Sequence, residues 1–306
     1  MQGKIIRVDS RSAVVEAESG IFHCAIRGYL KQGRRASRNL VAVGDDVMFD
    51  HSSENEGVIQ DVLPRRSKLT RPDSFRPDIE HVIMANLDMV GIVTSVDRPT
   101  YNGGFVDRMI ASCQFHDLPY VIIANKSDYP IPPEVRQEMD YFARFGIRHI
   151  YTSALTLDGL EELKVALAGK TAIFSGQSGV GKSSLITALY PPYFAKVTAV
   201  SEKTGKGKHT TTFVQLVRTD FDAFIADTPG LKMFGIWSHP SEIGLYFPDF
   251  TPHIPQCRFN SCLHQTEPGC GVKAAVQAGE ISPRRYDSYL KILADVREMI
   301  RITRPY

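Results

Sequence analysis

The chain has 306 residues, 43% of them hydrophobic and 23% charged, with a formal net charge of +2. That composition is ordinary for a globular protein and excludes a chain dominated by disorder, while the length exceeds what one core comfortably serves, so two or three domains are expected. No apolar run approaches the ~18 residues of a membrane span, and Met1-Gln2-Gly3-Lys4 leads into an alternating strand rather than a signal-peptide core, which points to a cytoplasmic protein without a membrane partner.

The first stretch reads as an all-β barrel. Gly3 to Ala17 alternates apolar and polar residues across a turn at Asp9 to Ser12, Ile21 to Arg27 supplies a further arm, and Asp46 to Asp50 and Val58 to Leu63 read as strands. Short strands at this density predict an OB-fold, a barrel often used for nucleic acids. Residues 1–64 carry 8 basic against 9 acidic groups, so the barrel is not basic as a whole. Its charge is local. Arg27, Lys31, Arg34, Arg35 and Arg38 crowd one loop around Tyr29, and Arg65 and Arg66 begin an exit linker that runs to Glu80 through Pro72 and Pro77. Such a patch suits RNA phosphates with an aromatic stacking on a base; a solvated loop and linker is the alternative.

From Met89 the pattern alternates strand and helix through Gly230, as a doubly wound sheet requires. Helices are expected over Arg108 to His116, Glu134 to Phe145 and Leu160 to Leu167. The buried-strand run Tyr120 to Ala124 delivers Asn125-Lys126-Ser127-Asp128 to a strand's C-terminal end, where open α/β sheets bind ligands. The Asp128 carboxylate suits the two donors of guanine, N1–H and the exocyclic amine, a pair adenine lacks. Lys126 has an aliphatic stem long enough to cover the base, and Asn125 is placed to tie the base loop to a phosphate loop. After the strand-like Ile147 to Tyr151, Ser153 and Ala154 match a segment whose backbone amide reads guanine O6.

Thr171 to Ser175 is a short apolar strand opening into Gly176-Gln177-Ser178-Gly179-Val180-Gly181-Lys182-Ser183, a phosphate-binding loop. Its glycines let successive N–H groups converge on an anion at a helix N-terminus, with Ser184 in the following turn. Lys182 is expected to reach the β- and γ-phosphates and to act in catalysis, and the Ser183 hydroxyl to ligate magnesium. Beyond a polar loop, Gly205 to Thr212, lies Asp227-Thr228-Pro229-Gly230 after the strand Phe224 to Ala226. Asp227 is expected to hold a magnesium-bound water and the Gly230 amide to sense the γ-phosphate. A loop threonine is the expected second magnesium ligand; offset favours Thr211, with Thr210 and Thr212 open. In ordinary GTPases the phosphate loop precedes the guanine-reading segment. Here the order is rotated, which the sheet tolerates because domain termini commonly lie close together, so joining old ends and cutting elsewhere preserves it.

Five cysteines include three near one histidine: Cys257, Cys262, His264 and Cys270, spaced C-x4-C-x-H-x5-C. Three thiolates and an imidazole are the four N/S ligands of a closed tetrahedral zinc site, structural because no coordination position stays open. Cys24 and Cys113 are expected in cores. Helices are predicted over Val272 to Ala278 and Pro283 to Ile302, and residues 257–306 carry 8 basic against 5 acidic groups.

The rotated motif order together with the metal segment resembles the RsgA family of circularly permuted bacterial GTPases that act on the small ribosomal subunit during its assembly. The resemblance spans nearly the whole chain. It implies an OB-fold barrel over residues 1–68, a circularly permuted α/β P-loop GTPase domain over 69–235 and an α-helical zinc-binding module over 236–306. Where Ras-like enzymes carry a water-orienting glutamine, this chain has Leu231, and an apolar side chain cannot orient water. The family shares that departure, and the resemblance implies a histidine from the switch loop, His209, in its place; contact with RNA is the other reading of His209. The expected partners are GTP, GDP and the small subunit with its rRNA, and the expected state is a monomer. Two further readings stay open: an RNA-binding scaffold whose nucleotide domain signals by binding alone, and a P-loop RNA kinase, which Asp128 opposes.

Overall fold

The computed structural model describes residues 1–26, 40–72, 80–192, 214–227 and 235–303 of the chain. Strands β1 (Gln2–Val8), β2 (Ser12–Ala17), β3 (Gly20–Ile26), β4 (Asp46–Ser53) and β5 (Glu56–Val62) close into a barrel in the order β1-β2-β3-β5-β4, with β4 returning to β1. The β3–β5 pair is parallel and the other pairs antiparallel, the Greek-key closure of an OB-like fold. Alternation puts Ile5, Ala13, Val15, Phe22, Cys24, Val47, Phe49 and Ile59 inside. Cys24 is thus a core residue, as expected, and so is Cys113 in the α/β domain.

Residues 65–80, expected as a linker, instead contain β6 (Lys68–Pro72), which pairs antiparallel with β7 (Glu80–Ala85). Leu69, Thr70, Val82 and Met84 are buried there; the prolines and arginines between them disguise the alternation, and Pro72 sits at a strand end where its missing N–H does no harm.

The α/β sheet follows in the order β10-β9-β8-β11-β13-β12, from β8 (Met89–Ser95), β9 (Tyr120–Asn125), β10 (His149–Thr152), β11 (Thr171–Gly176), β12 (Gln215–Arg218) and β13 (Phe224–Asp227). All pairs are parallel except β12–β13. The central strand β11 is buried along its whole length, as a parallel strand covered on both faces must be. Its residues alternate between two cores. Ile173 faces α1 (Gly103–Phe115) and α2 (Pro133–Arg144); Ala172 and Phe174 face α3 (Leu160–Leu167) and α4 (Lys182–Leu189). Helix α1 starts five residues earlier than expected because the Asn102 side chain accepts the Phe105 N–H at 3.0 Å and caps it.

Barrel and sheet are continuous, since Arg7 of β1 pairs with Gln215 at the free edge of β12. Where the barrel leads into β6, Asp45, fully buried, accepts two hydrogen bonds from Arg65 at 2.6 and 2.8 Å. The C-terminal module comprises a 3-10 helix, Pro240–Tyr246, then α5 (Gly271–Gln277) and α6 (Pro283–Thr303), and its core includes Ala111 of α1.

The module is held to the α/β domain by buried charge. Arg285, 1% exposed, donates to Asp107 of α1 at 2.6 Å and to Asp249 at 2.9 Å through Nε, and its guanidinium lies between the Phe142 and Phe247 rings at 5.2 and 5.0 Å. Arg284 pairs with Asp107 at 2.6 Å and with Glu138 of α2. Two of the eight basic residues counted in the C-terminal stretch are therefore partners of buried carboxylates, one of them, Arg285, itself fully buried.

Candidate nucleotide site and metal centre

Strand β11 ends at Gly176, whose Cα packs so closely on the Val93 carbonyl that a Cβ would lie 2.2 Å from its oxygen. The loop from Gln177 to Gly181 then turns back, and Gly181, at φ +92°, delivers the chain into α4. A side chain at Gly181 would strike the Asn125 amide at 2.5 Å. Glycine is thus required twice over, by conformation and by the approach of the base loop. Lys182 donates to the Gly176 and Gln177 carbonyls at 2.8 and 3.0 Å, so its ammonium spans the mouth of the loop. Ser183 and Ser184 occupy the first turn of α4 beside it.

The segments expected to read guanine converge on this loop. Asn125, at the end of β9 and 1% exposed, donates from Nδ2 to the Val180 carbonyl at 2.9 Å. Lys126, at φ +66°, donates to the Gly179 carbonyl at 2.8 Å and to the Arg98 carbonyl. The Ser153 hydroxyl donates to Asp128 at 2.7 Å and accepts from the Leu155 and Thr156 amides, which joins the segment around Ala154 to the base loop. Sequence reasoning missed the participation of Asp97 to Asn102. The Val96 amide donates to the Asn125 carbonyl at 3.0 Å, and the Arg98 guanidinium stacks on Tyr129 at 5.3 Å. Arg98-Pro99 ahead of the capping sequence Asn102-Gly103-Gly104 was the available signal.

The parallel register of Phe174 with Asp227 brings β13 out at the same sheet end as the phosphate loop. The side chain of Asp227, together with His209, Thr211 and Gly230, lies outside the described residues, as do Arg27, Lys31, Arg34, Arg35 and Arg38. Of the candidate RNA contacts in the described residues, Arg66 is 63% exposed while pairing with Asp88 at 2.8 Å. Arg65 is less accessible: its 11% exposed side chain is engaged bidentately by Asp45.

The second site lies in the C-terminal module. Ligand atoms of Cys257, Cys262, His264 and Cys270 all fall within 4.8 Å of one another. His264 Nδ1 is 3.6 Å from the Cys257 sulfur and 3.4 Å from that of Cys270, and those sulfurs are 3.9 Å apart. Zinc–sulfur bonds of about 2.3 Å at tetrahedral angles span edges of about 3.8 Å, so the donor set fits zinc. Burial holds the His264 imidazole below its usual pKa, favouring the neutral form that ligates metals, and pushes the Cys262 thiol up to about 12, a cost that a bound dication offsets. Cys270 also accepts the Lys273 amide at 3.4 Å at the start of α5. Tyr286 and Tyr289 donate to the His264 and Leu263 carbonyls at 2.6 and 2.7 Å and fix the loop that carries the histidine.

A phosphate loop and a guanine-reading loop joined by a buried hydrogen bond, in rotated chain order on one sheet, define a circularly permuted P-loop GTPase. The model of the RsgA GTPase family matches residues 62–237, and the chain belongs to that family. Full-length relatives agree. The chain is 35% identical to the small ribosomal subunit biogenesis GTPase RsgA of Flavobacterium johnsoniae, covering 98% of this chain and 95% of the relative. It is 37% identical to the protein of the same name from Caldanaerobacter subterraneus subsp. tengcongensis, covering 97% and 96%. Among solved structures, YjeQ from Thermotoga maritima is similar with a TM-score of 0.76 and 32% identity over 96% of this chain and 98% of that one. YloQ, a circularly permuted GTPase, superposes with a TM-score of 0.75 and 26% identity over 100% and 96%.

Proposed function

We propose that this chain hydrolyses GTP to GDP and phosphate when stimulated by the small ribosomal subunit, and acts in late maturation of that subunit. The observation that carries the reading is the hydrogen bond from Asn125 to Val180, which fixes a guanine-selective loop against a phosphate loop. Gly176 to Gly181 and Ser184 cradle the phosphates with main-chain N–H groups. Lys182 exchanges its two carbonyl partners for phosphate oxygens and neutralises charge developing at the leaving group. Asp128 accepts from the guanine edge, held in orientation by Ser153, while Lys126 covers the base and the Ala154 amide meets O6. Ser183, Thr211 and Asp227 are assigned to magnesium, which supplies electrostatic stabilisation of the phosphates when bound. Gly230 is assigned to sensing the γ-phosphate and His209 to positioning the attacking water.

In this reading residues 1–68 and 236–306 bind rRNA on either side of the GTPase domain at 69–235, with Arg66 and the loop carrying Arg27, Lys31, Arg34, Arg35 and Arg38 as basic contacts. The zinc held by Cys257, Cys262, His264 and Cys270 is structural. The protein works in the cytoplasm as a monomer; among the described residues no helix is long and apolar enough to cross a membrane. Steady-state GTP turnover with and without purified small subunits, with ATP as the competing substrate, tests the proposal. Stimulated, guanine-selective turnover is the expected result. Tight GTP binding with no turnover on subunits would select instead a scaffold that signals by binding.

A further inference from the structure

Helix α6 of the zinc module packs on the first turns of α1 and on α2, and the loop that leads into α1, Asp97 to Asn102, touches the nucleotide site. At one end of that loop, the Arg98 carbonyl shares the Lys126 ammonium with the Gly179 carbonyl, so a single side chain ties Arg98 to both the base loop and the phosphate loop. Pro99 follows, with its Cδ 3.7 Å from where a Gly179 Cβ would stand. At the other end Asn102 caps α1, and the next residue, Gly103, has the Arg284 guanidinium lying on its Cα. A Cβ there would be 2.6 Å from Arg284 Nη1 and 2.9 Å from Glu138 Oε1. Between the two ends, the Tyr101 phenol is buried beside Glu138.

We propose that Arg284 is a positioning residue for the nucleotide site, acting through Gly103 and the loop Asp97 to Asn102 on Lys126 and Gly179. The inference rests on the reading of that site as one for guanine nucleotides. The physical argument is one of charge and reach. Asp107 and Glu138 have side chains 0% and 13% exposed, and the cations that pair with them come from the zinc module: Arg284 at 2.6 and 3.2 Å from Asp107 and in direct contact with Glu138, and Arg285 at 2.6 Å from Asp107 Oδ1. With α6 docked, loss of the Arg284 guanidinium leaves the buried Glu138 carboxylate without its ion-pair partner and Asp107 with Arg285 alone, an arrangement that a low-dielectric interface does not tolerate and that relaxes by moving the first turn of α1. From Gly103 to Arg98 is five residues of chain. That loop has little slack, being pinned by the Asn102 cap at one end and by Lys126 at the other, so displacement of the turn reaches the Arg98 carbonyl. The ammonium of Lys126 then loses one of its two anchors. Linkage makes the effect reciprocal: a docked module that strengthens nucleotide binding is itself held more firmly when nucleotide is bound.

The test uses the full-length, zinc-loaded protein and a fluorescent N-methylanthraniloyl GDP, with dissociation followed by stopped flow and zinc content measured on the same samples. Arg284→Ala is expected to raise the dissociation rate at least about 5-fold, the lower end of typical site-to-site coupling, with zinc retained. Arg284→Lys is expected to recover part of the loss, and Lys291→Ala, an exposed cation on the same helix, to leave the rate unchanged. Should Arg284→Ala misfold, Gly103→Ala keeps every charge, displaces the guanidinium sterically and carries the same expectation. Wild-type rates in folded Arg284→Ala and Gly103→Ala, or an equal effect of Lys291→Ala, overturn the proposal. Failure of the wild-type protein to bind the GDP probe overturns the guanine-site reading as well, so the two failures are distinguishable.

Discussion

The Asn125 side-chain amide donates to the Val180 carbonyl at 2.9 Å, and this buried bond joins two segments that lie 55 residues apart in sequence. The same Asn125 accepts from Thr152 Oγ1 at 3.3 Å, so the base loop, the phosphate loop and the end of β10 meet on one side chain. Asn125→Ala leaves the Val180 carbonyl without its donor, a loss of about 1–3 kcal/mol. GDP and GTP affinity are expected to fall together, by about 5- to 150-fold, with selectivity over xanthine nucleotides unchanged. Isothermal titration with both nucleotides checks this, and a change in GTP affinity alone would count against a purely scaffolding bond.

Asp128→Asn should behave differently. Replacing the carboxylate by an amide reverses part of the hydrogen-bond pattern at the base edge, and each discriminating bond to a charged group is worth roughly 1.5–3 kcal/mol. GTP affinity should drop while affinity for xanthosine triphosphate rises. The Ser153 hydroxyl that holds Asp128 at 2.7 Å has rotational freedom to serve an amide oxygen equally well, so the orientation survives the change. Unaltered GTP affinity in this variant would remove Asp128 from the base site.

If His209 positions the attacking water, His209→Ala should lower subunit-stimulated kcat by about 100-fold or more with GTP affinity nearly unchanged, because the interaction is made chiefly in the transition state. Single-turnover hydrolysis on small subunits separates the chemical step from nucleotide release. Wild-type turnover by the variant would return His209 to the alternative role of an RNA contact.

Removing zinc should unfold the C-terminal module selectively. Its small core is stapled by Cys257, Cys262, His264 and Cys270, and structural zinc in modules of this size supplies on the order of 10 kcal/mol. Chelation or Cys270→Ser is expected to release the metal, lower the melting temperature and open residues 236–303 to protease, whereas Cys24→Ser, inside the barrel, releases no zinc. Metal analysis with limited proteolysis reads both effects.

The nucleotide and metal sites were legible because their chemistry is local in sequence: Gly176 to Ser183, Asn125 to Asp128 and the four metal ligands each form a short run. What the sequence hid is long-range. Asp107 on α1, Asp249 before the metal segment and Arg285 on α6 read singly as solvated helix or loop charges, and only folding brings them within hydrogen-bond distance in a dry interface. The pairing of Arg65 was hidden for the same reason, since its partner Asp45 lies 20 residues upstream and no periodicity announces it. The β6–β7 hairpin escaped because Pro72 and its neighbouring charges mask an alternation that burial of Leu69 and Met84 makes plain.

The rotated order makes the segment after Asp227, with Gly230 proposed as γ-phosphate sensor, run directly towards the zinc module, and among the described residues that run is gripped from Ile236 onward. Ile236 is 4% exposed in the module's own core, and Trp237, the one tryptophan in the chain, packs edge-on against Phe115 and His116 at the end of α1, both at 5.2 Å. Ser238 then bonds to Tyr246 at 2.8 Å and to Glu242. The segment from Ile236 onward is therefore part of the docked module and not a tether, and in the proposed reading a movement that begins at Gly230 enters the module through Gly235. If GTP orders Gly230 and so biases the module at that point, linkage requires subunit binding to favour the GTP state by the same free energy. Small-subunit affinity is expected to be higher with a non-hydrolysable GTP analogue than with GDP. A Gly/Ser insertion between Gly235 and Ile236 should shrink that difference while leaving GTP binding intact, whereas the same insertion between Pro252 and His253, downstream of the Trp237 grip, should shrink it less. Trp237 emission, read with each nucleotide, should change on nucleotide exchange in the wild-type protein and lose that response in the upstream insertion. Equal subunit affinity in the two nucleotide states, or a difference that survives the upstream insertion, would mean that the switch reaches the ribosome by a route other than this segment.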